Sequence, residues 1–108
     1  MTQASRLTDQ PDPLIKKMMH NLQVTQGITY ADFKGAFDRL NQTIREVGAK
    51  NGVLVIDLAK EIPAVQENIC DVAHFNDQGS RLVASQIASH LIPVITPLVK
   101  KPLAKQEK

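Results

Sequence analysis

The run "VLVID" at residues 53–57 constrains the fold more than any other stretch of this sequence. It is continuous, apolar and rich in β-branched residues, which is typical of a strand that helices cover on both faces. Such a strand cannot satisfy its own backbone N–H and C=O groups and needs neighbouring strands. The only other candidate, "LQVTQGITY", is weak. The sequence therefore predicts that the missing strands come from another chain or that the chain is a piece of a larger domain.

A helix is predicted from Tyr30 to Gly48, directly before this strand. Asp32 is its expected N-cap, and Gly48 suits a C-terminal stop in the left-handed conformation. Apolar residues recur at steps of four and three and therefore lie on one helix face. These residues are Phe33, Phe37, Leu40, Ile44 and Val47.

A second helix is predicted after Asn76, whose side chain can cap it, with Asp77 in the first turn where the helix dipole favours an anion. Pro93 is expected to end it because proline lacks the backbone N–H. The apolar stripe of this helix consists of Val83, Ile87 and Leu91.

Helix, short turn and buried strand make half of an α/β unit. The expected fold class is thus α/β, mostly helical in this chain, with one clear strand at 53–57. Three segments are predicted along the chain. Residues 1–30 are an irregular lead-in with a short helix at "LIKKMMHNLQV", residues 31–97 hold the folded part, and residues 98–108 are a basic flexible tail.

Charge and composition exclude several function classes. Thirteen Lys and Arg face eleven Asp and Glu, but "KKPLAKQEK" holds four of those lysines and one glutamate, so the remainder carries nine against ten. A nucleic-acid partner is not expected because no basic face remains. The single Cys70 excludes an internal disulfide. We expect no signal peptide and no membrane span, and a cytoplasmic location by default.

The stretch "DVAHFNDQG" places an acid three residues before a histidine where a loop enters a helix. A histidine with a pKa of about 6.5 exchanges a proton near neutrality, and a carboxylate beside it fixes the orientation of the ring. Asp71 and His74 are therefore candidates for the orienting acid and the general base of a catalytic site. The plainer alternative is a structural hydrogen-bonded pair.

Other polar residues receive structural interpretations. Asp57 is expected to bond backbone beyond the strand end, and Asn41 to lie on the exposed side of its helix. Cys70 is interpreted as packing material, and His20 and His90 as ordinary histidines rather than metal ligands. No cofactor and no metal are expected.

The run "FDRLNQTIREVGAKNGVLVIDLAKEI", followed by "DVAHFNDQGSRLVASQIASHL", resembles the C-terminal third of the SGNH hydrolases, the GDSL-type lipases and esterases. In that family a helix with a central asparagine leads to a strand that ends in Asp-Leu, then to a variable loop, a D-x-x-H motif and a closing helix. These features fall on Asn41, on Asp57 with Leu58, and on Asp71 with His74. The similarity covers residues 33 to 95.

The resemblance implies the C-terminal portion of a flavodoxin-like α/β/α sandwich that acts on acyl or carbohydrate esters. By that analogy His74 would take the proton of a serine nucleophile, and Asp71 would hold the imidazole. Nothing in this chain resembles the G-D-S block that carries the serine, nor the blocks that complete the oxyanion hole. The chain alone is therefore expected to be inactive.

Three hypotheses remain open from the sequence. The first is the C-terminal part of a serine ester hydrolase that supplies Asp71 and His74. The second is a non-catalytic remnant or interaction module with the same scaffold, and the third is a metal-binding or small-ligand domain that uses Asp71, His74 and Asp77. Self-association through exposed apolar faces is expected, because a missing sheet would leave those faces bare.

Overall fold

The structure, a computed structural model, describes the backbone of residues 1–106 and the side chains of residues 1–99. Within residues 1–106 four helices follow one another. They are α1 (Pro13–Gln26), α2 (Tyr30–Lys50), the single turn α3 (Leu58–Glu61) and α4 (Asp77–Gln106). The loops between them hold one isolated antiparallel bridge, between Ile69 and Phe75.

The predicted strand at 53–57 does not form, so the α/β class and the flavodoxin-like sandwich are wrong for this chain. Residues 53–57 run without regular structure, and no strand occurs within residues 1–106. The nearest neighbour is the N-terminal segment, where Thr2 N–H donates to the Ile56 carbonyl at 3.1 Å. One such bond makes no ladder, and an extended run without a paired neighbour is not a strand. The fold is largely helical.

The first residues are tied to the body of the chain by side chains rather than by sheet pairing. Asn41 accepts a hydrogen bond from Gln3 N–H at 2.7 Å and donates from its amide to the Gln3 carbonyl at 2.9 Å. Asn41 is buried, so the predicted exposed position is wrong. A buried amide is retained where it satisfies both backbone groups of an extended residue.

Helices α1 and α2 begin at side-chain caps. Asp12 accepts from Ile15 N–H ahead of α1. Thr29, not the predicted Asp32, caps α2 by accepting from Asp32 N–H at 3.1 Å. The helix also runs past Gly48 to Lys50. Gly48 is instead a contact residue, because a Cβ there would lie 2.1 Å from Val55 Cγ2.

Two apolar clusters hold these elements together. The first joins α3, the 53–57 segment and α4, and its buried members are Ala4, Ile56, Leu58, Ile62 and Ile69. The second joins the N-terminal segment to α1 and α2, and its buried members are Leu7, Ile15 and Met19.

Helix α4 begins where the sequence predicts and continues beyond the expected end. Asn76 caps it, with its side-chain oxygen accepting from Gly79 N–H at 2.9 Å. Pro93 does not stop it. A proline inside a helix costs about 3 kcal/mol because it removes one hydrogen bond and its ring clashes with the carbonyl four residues earlier, yet α4 remains helical to Gln106.

Exposed apolar surface is extensive. The chain measures 66 × 32 × 21 Å, with a radius of gyration of 18.2 Å, against roughly 13 Å for a compact domain of this length. Large apolar side chains on α2 and the 53–57 segment lie bare, among them Leu40, Val47, Val53 and Leu54.

The side chains of the predicted basic tail lie largely outside the described residues, and its flexibility stays a prediction.

Candidate functional site

The segment between α3 and α4 folds back on itself and presents its tip to solvent. Asn76 N–H donates to the Asn68 carbonyl at 3.1 Å, and Cys70 N–H donates to the His74 carbonyl at 2.9 Å. With the Ile69–Phe75 bridge, these bonds close a hairpin-like loop over residues 68–76. The loop is anchored on α4, where the close approach of Gly79 to the Asn68 carbonyl leaves no room for a Cβ.

Asp71 and His74, the two predicted site residues, face each other across this tip. His74 Nδ1 lies 2.7 Å from Asp71 Oδ2. The other carboxylate oxygen, Asp71 Oδ1, accepts from the backbone N–H groups of Ala73 at 2.9 Å and His74 at 2.8 Å. The three-residue spacing thus produces a turn that the aspartate caps with one oxygen while the other meets the imidazole.

Electrostatics and exposure distinguish the two members of the pair. The backbone N–H groups of His74 and Ala73, and then the His74 side chain, hold the pKa of Asp71 below its ordinary value. The carboxylate is therefore charged at neutral pH and favours the tautomer in which His74 Nδ1 carries the proton. The His74 side chain is 83% exposed, so Nε2 is left open for an outside group.

Arg6 fixes the loop from behind, a role that the sequence did not reveal. Its backbone N–H donates to the Val72 carbonyl at 2.8 Å, and its guanidinium donates to the Ile69 carbonyl at 3.0 Å. The guanidinium also pairs with Asp12, ahead of α1. Arg6 is buried, and its Nε finds no acceptor among the described residues. The Ile69 carbonyl lies 63 positions from Arg6 in sequence, so no local pattern could have indicated this contact with the loop.

An open apolar groove of about 330 Å³ adjoins the Asp71–His74 pair. Its wall includes two neighbouring rings of α2, Phe33 and Phe37, whose centroids lie 5.3 Å apart and whose planes are tilted by 38°. Met18 of α1, Val72 and Ala73 complete the lining beside the acid and the histidine. Such a groove suits an apolar group and offers no charge besides the pair itself.

Asp57 has the structural role expected of it, but with side chains as partners. Its carboxylate accepts from Arg45 Nε at 2.8 Å and Nη2 at 3.0 Å, and from the Thr2 hydroxyl at 2.8 Å. The Arg45 guanidinium is the main reason that the pKa of Asp57 lies below its ordinary value. This cluster ties the N-terminal segment to α2 and takes no part in the Asp71–His74 pair.

The remaining candidates have ordinary surroundings. Cys70 is exposed rather than packed, and its thiol faces the His74 carbonyl at 3.3 Å. His20 is exposed on α1. His90 of α4 bonds to Glu61 of α3 through Nε2 at 2.6 Å, a contact between helices that the sequence did not indicate.

No serine among the described residues hydrogen-bonds to His74. The Ser5 hydroxyl accepts from Leu7 N–H, and the Ser89 hydroxyl donates to the Ser85 carbonyl within α4. In the same part of the chain no three His, Cys, Asp or Glu side chains converge as metal ligands. The trio of Asp71, His74 and Asp77 is therefore not assembled, and the arrangement is that of an acid and base without a nucleophile.

This geometry defines a class of site, an exposed carboxylate-histidine dyad at a loop tip beside an apolar groove. Comparison of the chain with models of protein families, with curated proteins and with solved structures finds no match. A functional assignment therefore depends on the chemistry of the Asp71–His74 pair.

Proposed function

We propose that this chain supplies the acid and the base of a serine ester hydrolase, as the sequence resemblance to the SGNH hydrolases implies. His74 is the general base, and Asp71 holds its Nδ1–H and stabilises the imidazolium that forms when His74 accepts a proton. The serine that His74 serves is not one of the serines described above. The 2.7 Å contact between His74 Nδ1 and Asp71 Oδ2 is the observation that supports the proposal.

The orientation of the pair supports a base that works on an external group. The carboxylate is held by two backbone N–H groups and cannot turn away from the imidazole without breaking them. The exposed ring leaves Nε2 free to approach a hydroxyl within hydrogen-bond distance.

The groove beside the pair favours the acyl side of an ester over a sugar. Its lining by Met18, Phe33, Phe37 and Val72 offers apolar contact and few hydrogen-bonding groups. A carbohydrate ester would need several convergent donors and acceptors for its hydroxyls. An ester of an apolar acid is therefore the proposed substrate class.

Determination of the His74 tautomer tests the proposal directly and needs only the present chain, without a nucleophile. Long-range ¹H–¹⁵N NMR of the purified protein should show the neutral imidazole protonated at Nδ1 and bare at Nε2. Asp71→Asn should reduce this preference, because its amide no longer provides a charged acceptor. His20→Ala serves to assign the resonances. A neutral His74 protonated at Nε2 would contradict the general-base role.

Activity requires a nucleophile, so the second test supplies one. A G-D-S block encoded 5′ of Met1, where one is found, would be co-expressed with the chain, and hydrolysis of p-nitrophenyl esters would be followed. Turnover should require both polypeptides and should fall by about 10³-fold or more in His74→Ala. His20→Ala, the matched histidine control, should leave the rate unchanged. The chain alone should show no His74-dependent turnover of p-nitrophenyl acetate.

A second candidate, a non-catalytic interaction module, is favoured by the bare apolar side chains of α2 and the 53–57 segment. Val47 and Val53 are more than half exposed and line an apolar groove of about 460 Å³ with Met1, Ile44 and Val55. Patches of this kind mark surfaces that another protein covers. If the chain is an interaction module, His74→Ala should leave partner binding unchanged, and the tautomer of His74 should have no effect on that binding.

A further inference from the structure

Helix α4 changes its environment halfway along its length. Its first half is docked on the body of the chain, where Leu82, Val83, Ile87 and Leu91 pack against the first apolar cluster. Beyond Leu91 the large apolar side chains are exposed, from 41% at Val99 to 69% at Leu98. The exposed group comprises Ile92, Val94, Ile95, Leu98 and Val99.

The bare residues continue the stripe that packs the core. Leu91, Ile95 and Leu98 follow Val83 and Ile87 at steps of four and three, so all five lie on one side of α4. The helix thus carries its apolar stripe past the end of the core, and no described residue covers the extension.

The charge distribution around the exposed end of α4 indicates which kind of surface it can bind. No acidic residue occurs between Asp77 and Glu107, and Lys100, Lys101 and Lys105 follow the bare stripe directly. The other ninety-nine residues carry nine basic and ten acidic side chains, so the positive charge of the chain is concentrated here. An apolar stripe that runs into lysines is complementary to a surface with an apolar interior and anionic head groups.

We propose that residues 92–106 of α4 bind the surface of an anionic lipid bilayer. The exposed end of the stripe, Ile95 and Leu98, enters the boundary between head groups and acyl chains, and the lysines that follow meet anionic phosphates. This role is independent of the Asp71–His74 site.

The helix lies on the membrane rather than crossing it. By length and composition the stretch Asp77–Val99 is long and apolar enough for one span. Its first half, however, packs against the domain core, which leaves residues 92–99 free. At about 1.5 Å per residue these eight residues cover roughly 12 Å, far short of the roughly 30 Å hydrocarbon core. Surface insertion needs only the depth of one apolar face.

Vesicle flotation tests the proposal with the full chain. The protein should float with vesicles of phosphatidylcholine and phosphatidylglycerol, float poorly with phosphatidylcholine alone, and release as salt rises. Ile95→Glu combined with Leu98→Glu should lower the vesicle partition coefficient at least tenfold. Val24→Glu, which changes a valine on α1 that is at least as exposed as either residue, should leave it unchanged.

The lysines are tested separately. Lys100→Gln with Lys101→Gln should weaken partition onto the anionic vesicles about thirtyfold, since each lysine near such a surface is worth roughly 1 kcal/mol. The same pair should not change the weak partition onto phosphatidylcholine. Val24, Ile95 and Leu98 are exposed positions, and circular dichroism of every variant verifies that the helices persist.

Three outcomes would overturn the proposal. Absence of flotation with the anionic vesicles is one. Resistance of the bound protein to extraction by alkaline carbonate would mean a spanning helix. A dimer in sedimentation velocity that Ile95→Glu with Leu98→Glu dissolves, without any vesicle binding by the unaltered chain, would mean that a second copy covers the stripe.

Discussion

Asp71 has two roles at the loop tip, and a single substitution can test them separately. It caps the turn through Oδ1 and orients His74 through Oδ2. Asp71→Asn keeps one acceptor of the same shape but loses the charge. We expect the free energy of unfolding at neutral pH to fall by about 1 kcal/mol, since charge-assisted bonds at a partly exposed site are worth about that.

Chemical denaturation of Asp71→Asn at neutral pH measures this loss. The matched control is Asp9→Asn, because Asp9 is almost fully exposed and only loosely approached by Lys34 at 3.4 Å. Its unfolding free energy should stay within about 0.5 kcal/mol of the parent. Equal losses in the two variants would show that the turn does not depend on the Asp71 carboxylate.

The Arg45–Asp57 pair gives a pH-dependent contribution of known sign. The pKa of Asp57 is lowered in the fold, first by the Arg45 side chain, from an ordinary value of 3.8. The folded state therefore binds fewer protons than the unfolded state around and below that value. Its stabilising contribution is present above pH 3.8 and is lost as the pH falls towards the lowered pKa.

Arg45→Met should therefore destabilise most at neutral pH, by about 1–2 kcal/mol, and progressively less below pH 3.8. Urea denaturation across this pH range checks the convergence of the two curves. Arg39→Met, which removes an exposed arginine of the same helix, should differ little from the parent at any pH. A constant gap between Arg45→Met and the parent at all pH values would exclude the linkage.

Residue contacts were predictable only where they were local. The spacing of Asp71 and His74 predicted their contact, because a tight turn brings residues three apart together. The bonds of Arg6 to the 69–72 loop and of Asn41 to Gln3 join residues 63 and 38 positions apart. Their side chains satisfy backbone groups of distant extended segments, which no local pattern encodes. Asn41 was consequently misplaced on the exposed face.

Glycine positions decide how closely the helices approach their neighbours. A Cβ at Gly79 of α4 would lie 1.8 Å from the Asn68 carbonyl oxygen and 2.7 Å from its carbon. These are backbone atoms of the loop that carries Asp71, and they cannot rotate away. Gly79→Ala should therefore destabilise the protein by about 2 kcal/mol or more and disturb the loop.

Gly35→Ala is the matched comparison, because a Cβ there meets only the Arg39 guanidinium at an ordinary 3.5 Å. We expect it to stabilise by about 0.5–1 kcal/mol, since alanine loses less conformational entropy in a helix. Thermal and urea unfolding measure both variants. Destabilisation by Gly35→Ala equal to that by Gly79→Ala would mean that helix packing, rather than the loop contact, sets the effect.

Helices were predicted better than the strand, and the difference is physical. Periodic apolar residues and caps act within one segment, so α2 and the start of α4 form where expected. A strand depends on partners, and residues 53–57 share one backbone hydrogen bond with the N-terminal segment. The composition of "VLVID" indicates that this segment can be buried on both faces. It does not indicate whether neighbouring strands are present. The stop at Pro93 failed because one lost hydrogen bond does not end a helix with turns on both sides.

At the scale of the whole molecule, apolar side chains exceed what the core covers. Two small clusters bury few large side chains, while the groove of Met1, Ile44, Val47, Val53 and Val55 stays open. Removal of such surface from water is worth roughly 25 cal/mol per Å². The chain should therefore associate with itself as its concentration rises.

Sedimentation velocity over a range of protein concentrations tests this prediction. Val47→Lys with Val53→Lys should shift the distribution towards monomer, because two charges in the groove oppose its burial. Both valines are more than half exposed, so the unfolding free energy should change by less than about 0.5 kcal/mol. Val24→Lys, at a more exposed position on α1, should leave association unchanged. If Val24→Lys reduces association as much as Val47→Lys with Val53→Lys does, the cause is repulsion between the added charges. If only the double variant in the groove reduces association, the groove is the interface between copies of the chain.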